Sequence, residues 1–99
     1  MKTVVLQGIE LKLAYNLRSL FIYEEIAGKP YTGEKTVENY MLMYAMLLAN
    51  NEAFSLSFDE FINECDADLG LYQVFVEVLT EQGKRASAFL NNKKKVQDQ

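Results

Sequence analysis

The chain has no histidine, no tryptophan, one cysteine and one proline, and the lack of histidine and of further cysteines removes whole classes of function. Without histidine, the commonest general base and the commonest zinc ligand are both missing. A single cysteine, Cys65, excludes an internal disulfide and any cysteine metal cluster. Nothing therefore calls for an oxidising compartment, and a cytoplasmic setting is expected. Lysine and arginine are absent from Thr36 to Gly83, where Glu38, Glu52, Asp59, Glu60, Glu64, Asp66, Asp68, Glu77 and Glu81 are all acidic. Such a body repels phosphate backbones, so nucleic-acid binding by the folded part is disfavoured. No apolar run reaches the roughly 20 residues of a membrane helix, and Val4 to Leu6 is too short for a signal peptide. No Gly-x-Ser-x-Gly elbow, dinucleotide fingerprint or His-Glu helix motif is present. A non-enzymatic protein without cofactor or metal is the expectation, since a domain of this size lacks the deep cleft that a pair of catalytic carboxylates needs.

What is present is enough apolar material for one core. Hydrophobic residues make up 49% of the 99, with six Tyr and six Phe, which argues for a single folded domain and against a disordered chain. That domain is expected over residues 1–90, followed by a polar, lysine-rich tail over 91–99 expected to be mobile. The stretch Thr36 to Ala49, TVENYMLMYAMLLA, sets the architecture. Val37, Tyr40, Met41, Tyr44, Leu47 and Leu48 recur at helical spacing, while Leu42, Met43, Ala45, Met46 and Ala49 make the other faces apolar, so this helix must be covered nearly all round. The fold class expected is mainly α (α+β): a short N-terminal β-hairpin followed by about four helices packed around this central one.

The other segments supply the cover. Val4 to Leu6 and Ile9 to Leu13 read as strands joined at Gln7-Gly8, with the Ile9, Leu11, Leu13 face resting on the helices. Asn16 is a good N-cap for a helix that runs through Leu17, Leu20, Phe21, Tyr23, Ile26 and Ala27 and stops at Gly28 before Pro30. On a helical wheel Glu24 falls amid Leu17, Leu20 and Phe21, which reads as a carboxylate at the edge of the core taking a hydrogen bond. Ser57 and Glu60 form a capping box, and Phe58, Phe61, Ile62 and Cys65 follow on one face, with Cys65 as a small buried hydrophobe. Asp66 or Asp68 caps a last helix, Leu69 to Gln82.

Two motif-like strings do not carry chemistry. GKPYTGEKT differs from a phosphate-binding loop because Glu34 stands between the second glycine and the lysine, and the stretch follows a helix where the motif needs a strand. Tyr31 is expected to pack this loop down. Asp66, Asp68 and Glu77 match positions one, three and twelve of a calcium loop, but Leu71 replaces the sixth-position glycine and Gly70 the fifth-position ligand.

The last helix points to partners. Leu69, Leu71, Tyr72, Val74, Phe75, Val76, Val78 and Leu79 cover more than half of its circumference. Either it is sandwiched in the core or part of the face meets another subunit or a partner chain. Leu71, Tyr72, Phe75, Val76 and Leu79, with Phe89 and Leu90 beyond Gly83, are the candidate partner-binding residues.

The segment Leu11 to Gly28, LKLAYNLRSLFIYEEIAG, with Lys29-Pro30 and the later LLANNEAFSLSFDEFINEC, resembles the tail assembly chaperones of long-tailed bacteriophages and prophages. The likeness spans about residues 3 to 80 and is one of pattern: a short strand pair, an Asn-led helix with Glu-Glu and Gly-Lys at its end, an Asn-rich turn, and a Ser-Phe-Asp-Glu-Phe helix start. It implies a cytoplasmic protein that coats the long, helical tape measure protein, keeps it soluble and recruits tail tube subunits, then leaves. Family members are also made in a longer form by ribosomal frameshifting. The methionines at 41, 43 and 46 would suit a binder of varied helical surfaces. Two other classes remain open: a structural phage component such as a head–tail connector or minor tail protein, built on a permanent homo-oligomeric interface, and a small regulatory module that binds nucleic acid through Lys84 to Lys95.

Overall fold

The structure is a computed structural model and describes residues 2–81. β1 (Lys2–Leu6) and β2 (Ile9–Leu13) form an antiparallel hairpin in the register Lys2↔Leu13, Val4↔Leu11 and Leu6↔Ile9. Gln7 (φ 53°) and Gly8 (φ 76°) both take left-handed backbone, the conformation a two-residue hairpin turn needs to match strand twist. Val4, Leu6, Leu11 and Leu13 are buried. Ile9, expected on the same buried face, is 59% exposed. It sits beside the turn, at the end of the hairpin farthest from the chain's entry into the helices.

Asn16 caps α1 (Leu17–Ala27), accepting from the Ser19 amide at 2.9 Å. Gly28, at φ 74°, ends it by donating its N–H to the Glu24 carbonyl at 2.8 Å, the left-handed stop expected of glycine. α2 (Thr36–Asn50) runs back against α1, because Asn16 Nδ2 donates to Asn50 Oδ1 at 3.1 Å and Asn50 Nδ2 donates to the Ala14 carbonyl at 2.9 Å. α3 (Phe58–Ala67) carries the expected capping box, with the Glu60 amide donating to Ser57 Oγ and the Ser57 amide to Glu60 Oε1. A fourth helix, α4, occupies 70–81. Its start is tied by the Gly70 amide donating to Asp68 Oδ1 at 3.0 Å, so Asp68 serves both as the end of α3 and as the lead-in to α4.

α2 is the centre, as its composition requires. Leu42, Met43, Ala45, Met46 and Leu47 are all buried, with α1, β2 and α3 against it. Each of the Leu and Met side chains among them contributes about 1.5–3 kcal/mol by leaving water. Tyr44 organises the α3 side: its ring meets Phe54, Phe58 and Phe61 at centroid distances of 5.7, 5.5 and 5.6 Å, and its hydroxyl donates to the Leu56 carbonyl at 2.7 Å. Tyr40 stacks on Tyr72 of α4 at 5.0 Å. The fold is the expected α+β arrangement, and no helix among the described residues is long and apolar enough to cross a membrane.

Candidate functional site

α1 departs most from expectation, and it carries the candidate surface. Sequence spacing places Leu17, Leu20 and Phe21 inward with Glu24 at the core edge. In the structure Ser19 and Tyr23 are the fully buried residues of this helix, while Leu17 is 68% and Phe21 64% exposed. Glu24 is exposed with them. On the inward face Ser19 Oγ donates to Asn16 Oδ1 at 2.8 Å, with the Ala14 carbonyl at 3.3 Å as a longer alternative acceptor. One turn on, Tyr23 meets Tyr31 edge to face at 5.3 Å, drawing the same face onto the 28–35 loop. A helix whose polar Ser19 and aromatic Tyr23 satisfy themselves inside leaves Leu17 and Phe21, four residues apart, on the wet side beside Glu24 and Glu25. Ile26 and Val37, at the loop end of the α1–α2 pair, are also exposed.

The candidate residues of α4 separate into three groups. Leu71 and Phe75 are buried and belong to the core, so neither is presented to a partner. Tyr72 and Leu79 are half-buried against that core, and Val76 is exposed. Phe89 and Leu90 lie outside the described residues, as does the 91–99 tail. The wide apolar face of α4 is thus mostly consumed by packing.

A buried polar cluster underlies the loop between α1 and α2. Glu38, in the first turn of α2, accepts from Thr32 Oγ1 at 2.7 Å and from the Lys35 amide at 3.4 Å, and Lys29 Nζ stands 3.3 Å from its other oxygen. The Thr32 hydrogen bond, followed by the Lys35 amide and Lys29, holds its carboxyl below the ordinary glutamate pKa despite burial. The Lys35 side chain has no acceptor atom, so Glu38 alone closes this helix start. Tyr31 lies over the loop as expected, its hydroxyl donating to Asn39 Oδ1 at 2.6 Å. At Gly33 (φ 77°), backbone that L side chains rarely adopt, a Cβ would also come within a tight 3.1 Å of the Tyr31 hydroxyl. The loop is filled by its own tyrosine instead of being an open phosphate cradle. The Tyr23 hydroxyl is buried with no hydrogen-bond partner among the described residues. Burial, then the nearby Glu38 charge, raises its pKa.

Cys65 is buried, and burial followed by Asp66, Glu64 and Asp68 pushes its thiol up to about 11. A hollow of about 140 Å³ lined by Tyr40, Ile62, Cys65 and Asp66 lies beside it, but a protonated thiol among carboxylates is a poor nucleophile. Among the described residues no group of three or more Cys, Asp or Glu side chains is placed to hold a metal. Asp68, one of the calcium-loop matches, is engaged with the backbone of Gly70.

Compared with protein-family models, curated proteins and solved structures, the chain matches none. The outward row on α1 was the feature that spacing misassigned. The face that α1 turns inward is set by its packing on α2, which hydropathy spacing alone does not fix.

Proposed function

We propose that this protein is a tail assembly chaperone of a long-tailed phage or prophage. It works without catalysis, binding the helical tape measure protein and recruiting tail tube subunits in the host cytoplasm. The observation that carries the reading is the exposed pair Leu17 and Phe21 on α1. Their helix lies inside the segment Leu11 to Gly28 on which the family resemblance rests. An apolar strip one turn long, edged by Glu24 and Glu25, suits a partner helix with an apolar stripe and basic flanks. It is small enough for a contact that must later be released.

The test is a pull-down of the tagged chain from cells that co-express its neighbouring genes, with captured proteins identified by mass spectrometry. Capture of a very long helical protein or a tail tube subunit, lost in the double variant Leu17→Ser/Phe21→Ser, supports the reading. Capture of the chain only by itself at fixed stoichiometry overturns it in favour of a self-assembling structural component.

A further inference from the structure

The two edges of the hairpin are not equivalent. With Leu6↔Ile9 flanking a two-residue turn, alternation makes Lys2, Val4, Leu6, Ile9, Leu11 and Leu13 the residues that bond across the hairpin. Thr3, Val5, Glu10 and Lys12 therefore direct their backbone groups outward. On the β2 side the side chain of Asn51 fills this role. Its Oδ1 accepts from the Lys12 amide and its Nδ2 donates to the Lys12 carbonyl, both at 2.8 Å. A side-chain amide there stands in for the peptide group of a third strand.

On the β1 side, the outward N–H and C=O groups of Thr3 and Val5 have no hydrogen-bond partner among the described residues. The Val5 side chain is 59% exposed. β1 also lacks the usual protections of an edge, since it has no proline or bulge and its one lysine, Lys2, is at its first residue and paired with Glu77 at 3.4 Å. Beside Lys2 an open groove of about 490 Å³ continues onto α4, lined by Gln73, Val76, Glu77, Thr80 and Glu81. It offers Val76 as an apolar floor and two carboxylates against one ammonium.

We infer that the β1 edge and this groove together form a docking site for an extended segment of a partner protein in which apolar and basic residues alternate. The segment adds to β1 as a third strand through the outward groups of Thr3 and Val5. Its basic side chains face α4 and meet Glu77 and Glu81, while the alternate apolar ones lie on the other sheet face beside the exposed Val5. A second copy of β1 is disfavoured because it would bring two acidic α4 faces together. The site is independent of the α1 row, so it stands or falls apart from the chaperone reading.

The experiment is NMR on the ¹⁵N-labelled full chain titrated with the peptide acetyl-Lys-Val-Lys-Val-Lys-Val-amide, and separately with its glutamate counterpart. The lysine peptide is expected to shift the Thr3 and Val5 amides and slow their hydrogen exchange about tenfold or more, while the Lys12 amide, already bonded to Asn51, stays unchanged. Val5→Pro removes one outward donor while leaving the hairpin's own ladder intact, and is expected to abolish the effect. Should that variant not fold, Glu81→Gln decides, with an expected weakening of about threefold or more. Unmoved Thr3 and Val5 amides, equal binding of the glutamate peptide, or an undiminished response in the folded variants overturns the inference.

Discussion

Glu38 and Thr32 meet across the loop that joins α1 to α2, carboxylate to hydroxyl at 2.7 Å, with the glutamate side chain buried. The contact closes the N-terminus of the central helix and pins the loop below it. A helix start has unpaired N–H groups and a partial positive charge, so a carboxylate in the first turn suits it on both counts.

Because the folded-state pKa of Glu38 lies below its ordinary value of 4.5, the group's contribution to stability is fully present above about that pH. It is lost as pH falls through the depressed folded value. Glu60, held down by the Ser57 backbone and hydroxyl, acts with the same sign. Urea midpoints measured from pH 7 to pH 3 should fall on acidification, and the fall should be smaller in Glu38→Gln. An equal fall in both proteins would rule this out.

Asn51→Ala removes both bonds to Lys12 and the 3.0 Å bond to the Leu47 carbonyl, and should cost about 1.5–4.5 kcal/mol from three hydrogen bonds at roughly 0.5–1.5 kcal/mol each. The specific sign is at Lys12, whose amide should exchange faster in the variant while the Leu11 and Leu13 amides change less. Hydrogen exchange read residue by residue checks it.

Tyr23→Phe should be at least as stable as the parent. The ring is fully buried but its hydroxyl has no partner among the described residues, and an unpaired buried hydroxyl costs about 1–3 kcal/mol. Tyr23→Ala, by contrast, should lose about 3–5 kcal/mol by emptying the space beside Tyr31. Thermal or urea unfolding separates the two.

Cys65 should resist modification. With its thiol near 11 and covered by the core, labelling by a disulfide reagent at pH 7.5 should be slow in the native protein and fast in denaturant. Rapid native labelling would place the thiol at the surface.

Much of this was legible in the chain. The Gln7-Gly8 turn, the Asn16 and Gly28 boundaries of α1, and the Ser57–Glu60 box each arise from chemistry within four residues, so local spacing suffices to read them. The central place of α2 also follows from composition, since a helix apolar on nearly every face must be covered; Leu42, Met43, Ala45, Met46 and Leu47 are buried, Met41, Tyr44 and Leu48 half-buried, and Val37 stays open at its first turn. The facing of α1 was only partly legible: Leu20 and Tyr23 pack inward as their spacing suggests, but Leu17 and Phe21 make as good an inward arc by hydropathy and stand in water. Glu38 escaped notice for a related reason. Its partners Thr32 and Lys29 are close in sequence, but only the folded loop brings them to one carboxylate.

Local sequence thus determined where the elements begin and end and which helix is central, because caps, turns and apolar periodicity act over a few residues. Tertiary structure decided which faces remain open. Tyr31 draws Tyr23 inward and leaves Leu17 and Phe21 in water. Asn51 reaches across 39 residues to occupy the β2 edge at Lys12, while Thr3 and Val5 on β1 gain no such partner among the described residues. Exposure is a property of what packs against a side chain, and that is set by contacts that only the folded chain brings together.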